Sequence, residues 1–342
     1  MNKYNKIYVI APRYCATGGV ELSHQLVDYL SNKRKDVYLV YCENKRGKDY
    51  ICDANVGVNP VYKKYNINVT SDIEDSPDNI LVLPENFFDF IYDYHSIKIG
   101  CWWMSVDNRY GHIHIFSILK HTKGIKKKIK ILGSYLFKGY YHYRNTDAFL
   151  LKNDCRIIHF YQSYYACQHI KKLGFSNMSP LSDYINIDLV SDFGKERKDI
   201  ILYNPLKGFE FTKKIIDRMP EYEFVALRGL TREQLKSYLC SAKLYIDFGN
   251  FPGKDRLPRE AAINGCCIIT GKAGASFYQE DVPILEKYKF NIQKNSLESI
   301  VAAIRDVLVN YEIRIDDFSS YRSIIKSEQG IFYKEIEDAF LS

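Results

Sequence analysis

A dense group of charged side chains lies between Gly253 and Thr270 and could bind an anion. Pro258 suits the first turn of a helix and Gly265 the position just past its end, so the pattern predicts a loop, a short helix and a buried strand from Cys266. The charges fall in the loop and first helical turn, where backbone N–H groups and the helix dipole favour negative charge. The alternative is an ordinary turn with solvated charges. The candidate binding residues are Lys254, Asp255, Arg256, Arg259 and Glu260.

Short apolar runs alternate with helical patterns along the 342 residues, which is typical of α/β domains with parallel sheets. One series starts with a strand over 7–11 and a helix over 20–30. A second starts with a strand over 200–203, after a charged stretch at 192–199 that is poor in apolar residues. We therefore expect two doubly wound Rossmann-like domains facing a central cleft. Their predicted limits are 1–190 and 191–320, with a C-terminal helix over 321–342 that can pack back on the first domain.

The run that starts at Glu260, Glu-Ala-Ala-Ile-Asn-Gly-Cys-Cys-Ile-Ile, resembles the Glu-Ala-Met-Ala-x-Gly-x-Pro-Val-Ile run of family 4 glycosyltransferases of the GT-B fold. In that family the Glu contacts the sugar-nucleotide donor, so the resemblance implies this role for Glu260. The family's Glu-x7-Glu pair would need a carboxylate at Pro252, and Asp255 is the nearest acid. The resemblance therefore implies a divergent site, in which Lys254, Asp255 and Arg256 rebuild the sugar and phosphate contacts.

Two further loops resemble the same family. Lys207, in Asn-Pro-Leu-Lys-Gly-Phe, matches the Lys of the family's Gly-Arg-Leu-x-x-x-Lys-Gly loop, which contacts the donor diphosphate. The family's Arg has no counterpart there, and Arg228 or Arg256 could supply its charge. Gly18-Gly19-Val20-Glu21 follows the first strand, as a Gly-Gly loop does in the family. The resemblance implies that this acceptor or phosphate loop includes Gly18, Gly19 and Glu21.

Glu85 and Asp107 are the candidate catalytic carboxylates of the first half. Each follows a predicted strand, and the carboxyl ends of strands face the ligand in open α/β sheets. Trp102 and Trp103, just before Asp107, could form a sugar-binding face or pack in the core. The histidines that could also act as acids or bases are His95, His112 and His114.

No metal-ligand spacing is present, and the Asp-x-Asp metal motif of the other main glycosyltransferase fold is absent. The sequence therefore predicts a metal-independent enzyme without a resident cofactor. Its co-substrate would be a nucleotide sugar, with UDP or GDP as the nucleotide.

The net charge of +7 indicates an anionic partner. Residues 108–146 contain no Asp or Glu and interleave Lys with Ile, Leu and Tyr, which predicts a basic insertion in the first domain. The stretch 120–144 could lie on an anionic membrane surface. A solvated insertion is the alternative. Nucleic acid is a weaker third candidate, because no recognised nucleic-acid-binding module accompanies the charge.

The nine cysteines show no paired or metal-binding spacing, which indicates a reduced, cytoplasmic protein. The start of the chain lacks the apolar core of a signal peptide, and no apolar run reaches the roughly 18–20 residues that span a bilayer. We therefore expect a cytoplasmic protein that can associate with the inner face of the membrane.

The resemblance implies a retaining glycosyltransferase that moves a sugar from a nucleotide sugar to a saccharide or lipid-linked saccharide acceptor in surface polysaccharide synthesis. Two alternatives remain open from the sequence. One is another GT-B enzyme, such as a sugar-nucleotide epimerase. The other is a non-catalytic, basic protein that binds membranes or nucleic acid.

Overall fold

The computed structural model describes residues 3–45, 48–54, 59–113, 119, 122, 124–138, 154–186 and 196–342. Contacts within the chain group these residues into two compact units. So far as they are described, the first unit comprises Met1–Gln162, Ala166–Ser182 and Ile331–Ser342, and the second comprises Ser163–Tyr165 and Asp183–Gly330. The predicted boundary near residue 190 falls within 187–195, outside the described residues.

The first unit is built on a mainly parallel sheet with the strand order β3-β2-β1-β4-β5-β6-β7. β3 pairs antiparallel with β2, and the other neighbouring pairs are parallel. β1 lies between β2 and β4, with Ile7 opposite Val37 and Ile80. The strands are β1 (Ile7–Pro12), β2 (Val37–Lys45), β3 (Lys48–Ile51), β4 (Ile80–Pro84), β5 (Lys98–Trp103), β6 (Ile157–Tyr161) and β7 (Met178–Pro180). The α-helices of this unit are α1 (Gly18–Ser31), α2 (Val106–Ile113), α3 (Ile125–Lys138) and α4 (Tyr164–Lys172). The first two residues of α4 belong to the second unit.

The second unit is built on a parallel sheet with the strand order β12-β11-β10-β8-β9. All of its strand pairs are parallel. The strands are β8 (Lys198–Tyr203), β9 (Glu223–Ala226), β10 (Ala242–Asp247), β11 (Cys267–Gly271) and β12 (Lys289–Phe290). The helices are α5 (Phe209–Arg218), α6 (Arg232–Ser241), α7 (Arg256–Ile263), α8 (Leu297–Val309), α9 (Tyr311–Arg314) and α10 (Ser319–Ile336). Further helical segments, of 3₁₀ or π type, lie at Pro60–Tyr62, Glu85–Tyr92, Ala275–Phe277, Glu286–Tyr288, Ile315–Phe318 and Glu337–Leu341.

The central strands of both sheets are mostly apolar because parallel strands are covered on both faces. In the second unit, Leu244 and Ile246 of β10 and Ile268 and Ile269 of β11 are completely buried. Each such side chain contributes roughly 1.5–3 kcal/mol when it leaves water. The predicted α/β class with two parallel sheets is confirmed, and these sheets hold the loops at their strand ends.

The helix predicted around Pro258 is α7, which begins two residues earlier, at Arg256. Proline is tolerated at this point because N–H groups of the first helical turn have no partner within the helix. Gly265 follows the helix with φ of 92°, in the left-handed region that favours glycine. The predicted break and the buried strand after it are therefore confirmed.

The end of the chain packs within the first unit. Tyr333 of α10 stacks on Tyr29 of α1, with ring centroids 4.1 Å apart, and the Tyr29 hydroxyl donates to Glu337 at 2.6 Å. The Phe340 ring lies close to those of Tyr4 and Phe160. The last residues therefore complete the core of the first unit.

The basic segment is described in part. α3 covers Ile125–Lys138, whereas residues 120, 121, 123 and 139–144 lie outside the described residues. Among the residues that the structure describes, no helix is long and apolar enough to cross a membrane.

Candidate functional site

The loops that carry the predicted donor-binding residues lie along one edge of the second sheet. β8, β9, β10 and β11 run parallel, so their carboxyl ends share this edge. In open α/β sheets this is the edge where ligands bind. Lys207 follows β8, Arg228 follows β9, and the charged loop before α7 follows β10.

Gly208 brings the loop after β8 against the loop after β10. Its φ is 67°, and a Cβ at this position would lie 2.5 Å from the backbone nitrogen of Gly249. Only glycine fits this conformation and this spacing without strain. The close approach carries the neighbouring Lys207 side chain over the β10 loop.

The Lys207 ammonium is held by acceptors at the end of β10 and in the loop after it, including the Asn250 carbonyl at 3.3 Å. It forms an ion pair with the carboxylate of Asp255 and lies 3.4 Å from Oδ2 of Asp247. It also lies 4.1 Å from the centroid of the Phe251 ring. Burial raises the pKa values of both Asp247 and Asp255, and the nearby Lys207 charge opposes that rise.

Arg259 is completely buried and binds inside the protein. Its guanidinium donates to Asp183 at 2.6 Å and to Glu328 at 2.8 Å. It also donates to the backbone carbonyls of Asp255 and Lys254, at 3.1 and 3.0 Å. Burial alone would lower the pKa of Arg259, but the charges of Asp183 and Glu328 outweigh burial and raise it. Arg259 thus fixes the path of the loop before α7.

Lys254 joins the same buried network. Its ammonium lies 2.7 Å from Glu328 and 3.9 Å from Asp183. Lys254 and Arg259 therefore neutralise the buried carboxylates of Asp183 and Glu328. Charges that are removed from water require such pairing. Within this structure Lys254 and Arg259 are engaged by the protein itself.

Arg256 and Glu260 lie at the start of α7. The Arg256 Nε is 3.5 Å from a carboxylate oxygen of Glu260, and their side chains are 27% and 11% exposed. Asp255 occupies the N-cap position, but its side chain makes no capping hydrogen bond. The first helical turn therefore receives no cap from Asp255, and Arg256 stands beside it. This arrangement suits an anion.

Arg228 is exposed after β9, at the same edge of the sheet. The residues that sequence reasoning missed here are Asp183, Asp247 and Glu328. Asp247 follows the apolar run Leu244–Ile246 at the end of β10, a signal that could have singled it out. Asp183 and Glu328 lie 76 and 69 residues from Arg259 along the chain, and no local pattern joins them to it.

In the first unit, Glu85 follows β4 and is buried. Its carboxylate accepts from the backbone N–H of Met104 at 3.2 Å, and Arg109 donates to its carbonyl at 3.1 Å. Burial raises the pKa of Glu85 to about 7 against these hydrogen bonds and the Arg109 charge. The Met104 sulfur lies 3.4 Å from where a Cβ would stand on Gly19, so α1 starts against the same segment.

The other candidate residues of the first unit lie at the starts of α1 and α2. Asp107 is half-buried in the first turn of α2, and Gly18 and Gly19 are the first residues of α1. Glu21 accepts from the Tyr65 hydroxyl at 2.8 Å.

Trp102 and Trp103 are completely buried, so they pack in the core and do not form an exposed sugar-binding face. His95 is exposed. The side chain of His112, and all of His114, lie outside the described residues. In the described part of the chain, no group of three or more His, Cys, Asp or Glu side chains could hold a metal ion.

No protein-family model and no curated protein sequence matches this chain. Solved structures do resemble it. HepE from Anabaena, solved with UDP, aligns over 98% of this chain and 99% of its own length, with a TM-score of 0.55 and 9% identity. WaaG, a glycosyltransferase involved in lipopolysaccharide biosynthesis, aligns over 97% and 98%, with a TM-score of 0.56 and 11% identity.

S. aureus TarM, a third similar structure, has a TM-score of 0.54 and 11% identity. The alignment covers 78% of this chain and 55% of TarM, so this chain matches about half of TarM's length. At these identities the likeness concerns the fold alone. The fold is GT-B, with two Rossmann-like domains, and the prediction drawn from the Glu260 run is confirmed at that level.

Replacing Arg259 tests the buried network. Arg259→Met leaves Asp183 and Glu328 buried without the guanidinium, so we expect a loss of about 3–5 kcal/mol in the free energy of unfolding. The exposed Arg228 provides the control, and Arg228→Met should change stability by less than about 0.5 kcal/mol. Urea denaturation measures both. Equal effects would mean that the network does not organise the loop.

Glu85 should make stability depend on pH. Its pKa is raised from 4.5 to about 7 in the folded state, so its contribution is fully present below pH 4.5 and is lost as pH rises through 7. Compared with wild type, the stability advantage of Glu85→Gln should grow between pH 4.5 and 7, by up to about 1.4 kcal/mol per pH unit, and level off above pH 7. Denaturation at several pH values measures this gain.

Glu74→Gln provides the control, because Lys6 lowers the pKa of this exposed carboxylate. It should show a weak pH dependence of the opposite sign. A pH-independent difference between Glu85→Gln and wild type would contradict a raised pKa at Glu85.

Proposed function

We propose that this protein is a glycosyltransferase that moves a sugar from a nucleotide sugar to a saccharide acceptor in surface polysaccharide synthesis, without a metal ion. Similar folds support this. HepE has been solved with UDP and with UDP-glucose, and a TarM variant with UDP and α-GlcNAc-glycerol. WaaG is a glycosyltransferase of lipopolysaccharide biosynthesis.

The start of α7 is the observation that carries the proposal. A helix N-terminus without a side-chain cap, the Arg256 guanidinium and the exposed Arg228 stand at the carboxyl edge of the second sheet. Positive groups placed here would stabilise the charge that develops on the leaving diphosphate. Glu260, beside Arg256, is proposed to contact the donor as its family counterpart does. Lys254 and Arg259 would support the loop from within the protein.

The first unit is proposed to hold the acceptor near Gly18, Gly19, Glu85 and Asp107. Asp107 is the more exposed carboxylate and would orient the acceptor hydroxyl or accept its proton. Glu85, with a pKa of about 7, would exchange a proton near neutrality and hold the Met104 segment in place. Retention at the anomeric carbon is proposed from the family resemblance. The anomeric proton coupling of the product, measured by NMR, tests it.

Donor binding gives the first test. UDP, GDP, CMP, ADP and their common sugar conjugates should include one selective ligand that raises the melting temperature, by about 2.7 kcal/mol of stabilisation at 100 times its Kd. Glu260→Ala should keep the fold and lose transfer, whereas the exposed Glu312→Ala should keep both. Full transfer by Glu260→Ala would contradict the donor assignment. Turnover of a nucleotide sugar without an acceptor would favour the epimerase alternative.

We also propose that the protein works in the cytoplasm, at the anionic inner surface of the membrane, on a lipid-linked acceptor. All nine cysteines are free thiols, which suits a reducing compartment. α3 presents Ile125, Ile129, Leu132 and Leu136 on one side at helical spacing, and these side chains are 42–76% exposed. Lys126 and Lys128 flank this apolar stripe at about 100° per residue. A stripe of this kind binds anionic bilayers.

Vesicle sedimentation tests this membrane contact. The protein should bind vesicles that contain phosphatidylglycerol and not vesicles of phosphatidylcholine alone. Replacing Lys126 and Lys128 together by Glu should weaken binding at least about tenfold, since each cation near the surface contributes about 1 kcal/mol. Ile129→Ser with Leu136→Ser should weaken it as well.

The matched control is Val309→Ser with Ile313→Ser, two apolar residues of the second unit that are 74% and 69% exposed. This pair should bind vesicles like wild type. Equal losses in the control and the α3 variants would contradict a specific role for α3.

A further inference from the structure

The turn between β1 and α1 holds an exposed aromatic ring on a strained backbone. Tyr14 is 73% exposed, and its φ is 60°, in the left-handed region that favours glycine. Among the residues that the structure describes, Tyr14 is the one residue other than glycine with a positive φ. A bulky side chain makes this conformation unfavourable, and an exposed ring gains little from packing in return. Strain of this kind is typical of sites that present a side chain to a ligand.

Arg13 fixes the orientation of the Tyr14 ring. Its guanidinium lies over the ring, 4.3 Å from the centroid. It also forms an ion pair with Glu43 of β2 at 3.4 Å, and its backbone N–H donates to the Cys42 carbonyl at 2.8 Å. The Tyr50 hydroxyl donates to the same Glu43 carboxylate. The guanidinium therefore covers one face of the ring, and the exposed surface belongs to the other face and the edges.

The position of this ring in the sheet is typical of a ligand site. β1 lies between β2 and β4, so the chain continues on one side of β1 when it forms β2 and on the other side when it forms β4. Open α/β sheets bind ligands in the crevice at the carboxyl ends of the strands where the order reverses in this way. Tyr14 follows the end of β1, and Glu85 follows the end of β4. The loops that carry these two residues therefore flank the crevice of the first unit.

The open face of the ring is flat and uncharged, which suits a sugar ring. One side of many pyranose rings carries mainly C–H groups. These groups pack against an aromatic face through dispersion and the negative charge of the π system, while the hydroxyls keep their hydrogen bonds. A nucleobase also stacks on aromatic rings, but the proposed function assigns the nucleotide to the second unit.

We infer that Tyr14 is a platform on which a pyranose ring of the acceptor stacks, and that it selects acceptors with an unsubstituted C–H face. This inference rests on the proposed function and adds a specificity-determining residue to it. The strained backbone then presents the ring at the crevice, where a relaxed one would not. Removing the ring should relieve the strain and destroy the stacking surface together.

Fluorescence titration of Tyr14→Trp tests the stacking directly. The chain has two tryptophans, Trp102 and Trp103, and both are completely buried, so the added indole would be the exposed one. The probes are cellobiose, maltose, lactose and diacetylchitobiose, with sorbitol as a polyol without a ring and uridine as a nucleoside. At least one disaccharide should change the indole emission in a saturable manner, whereas sorbitol and uridine should not.

Tyr14→Phe and Tyr14→Gly distinguish a platform from a packing residue. In saturation-transfer NMR titrations with the same disaccharide, Tyr14→Phe keeps the ring and should hold the Kd within about twofold of wild type. Tyr14→Gly should raise this Kd at least about tenfold, because the stacking surface is lost. Its melting temperature should nevertheless equal or exceed that of wild type, since glycine adopts a positive φ without strain.

Several results would overturn the inference. A lower melting temperature for Tyr14→Gly with an unchanged Kd would mean that the ring serves packing. A response of Tyr14→Trp to uridine alone would indicate a nucleobase site, and equal responses to sorbitol and the disaccharides would exclude stacking.

Donor binding separates failure of the platform from failure of the proposed function. If no disaccharide changes the emission while a nucleotide sugar stabilises the protein, the platform is wrong and the proposed function stands. If no nucleotide sugar stabilises the protein, the proposed function fails, and the assignment of Tyr14 to an acceptor fails with it even where a disaccharide binds.

Discussion

The buried guanidinium of Arg259 is the interaction on which the candidate donor site depends. A charge removed from water is tolerated only when it is paired and its hydrogen bonds are satisfied. Asp183 and Glu328 supply the pairing, and the remaining donors bind the carbonyls of Lys254 and Asp255. The loop before α7 is therefore fixed from the inside, and the positions of the side chains on its outer surface follow from that.

The cationic side chains around the candidate site fall into two groups that the sequence does not distinguish. Lys254 and Arg259 are used to neutralise buried carboxylates, whereas Arg256 and the exposed Arg228 stand at the sheet edge. Lys207 belongs to neither group, because Asp247 and Asp255 hold it at the surface. The density of charge around α7 thus overstates the positive charge that a ligand would meet.

The fold explains why the loops converge although they are far apart along the chain. Parallel strands place successive carboxyl ends at one edge, so residues after β8, β9 and β10 become neighbours. Gly208 brings two of these loops within backbone contact, since any side chain there would collide with Gly249. In the first unit the same principle brings Glu85, after β4, to the backbone of Met104, after β5.

Much of this protein follows from its sequence. Apolar runs and glycine breaks determined the strands and helices around the site, and the Glu260 run indicated the GT-B fold, because these signals depend on residues close together in the chain. The burial of Trp102 and Trp103, the engagement of Arg259 by Asp183 and Glu328, and the placement of Lys207 between two carboxylates were decided only by the tertiary structure. Each depends on pairs separated by tens of residues, and a charged side chain has the same identity in the sequence whether its partner is a ligand, water or another part of the chain.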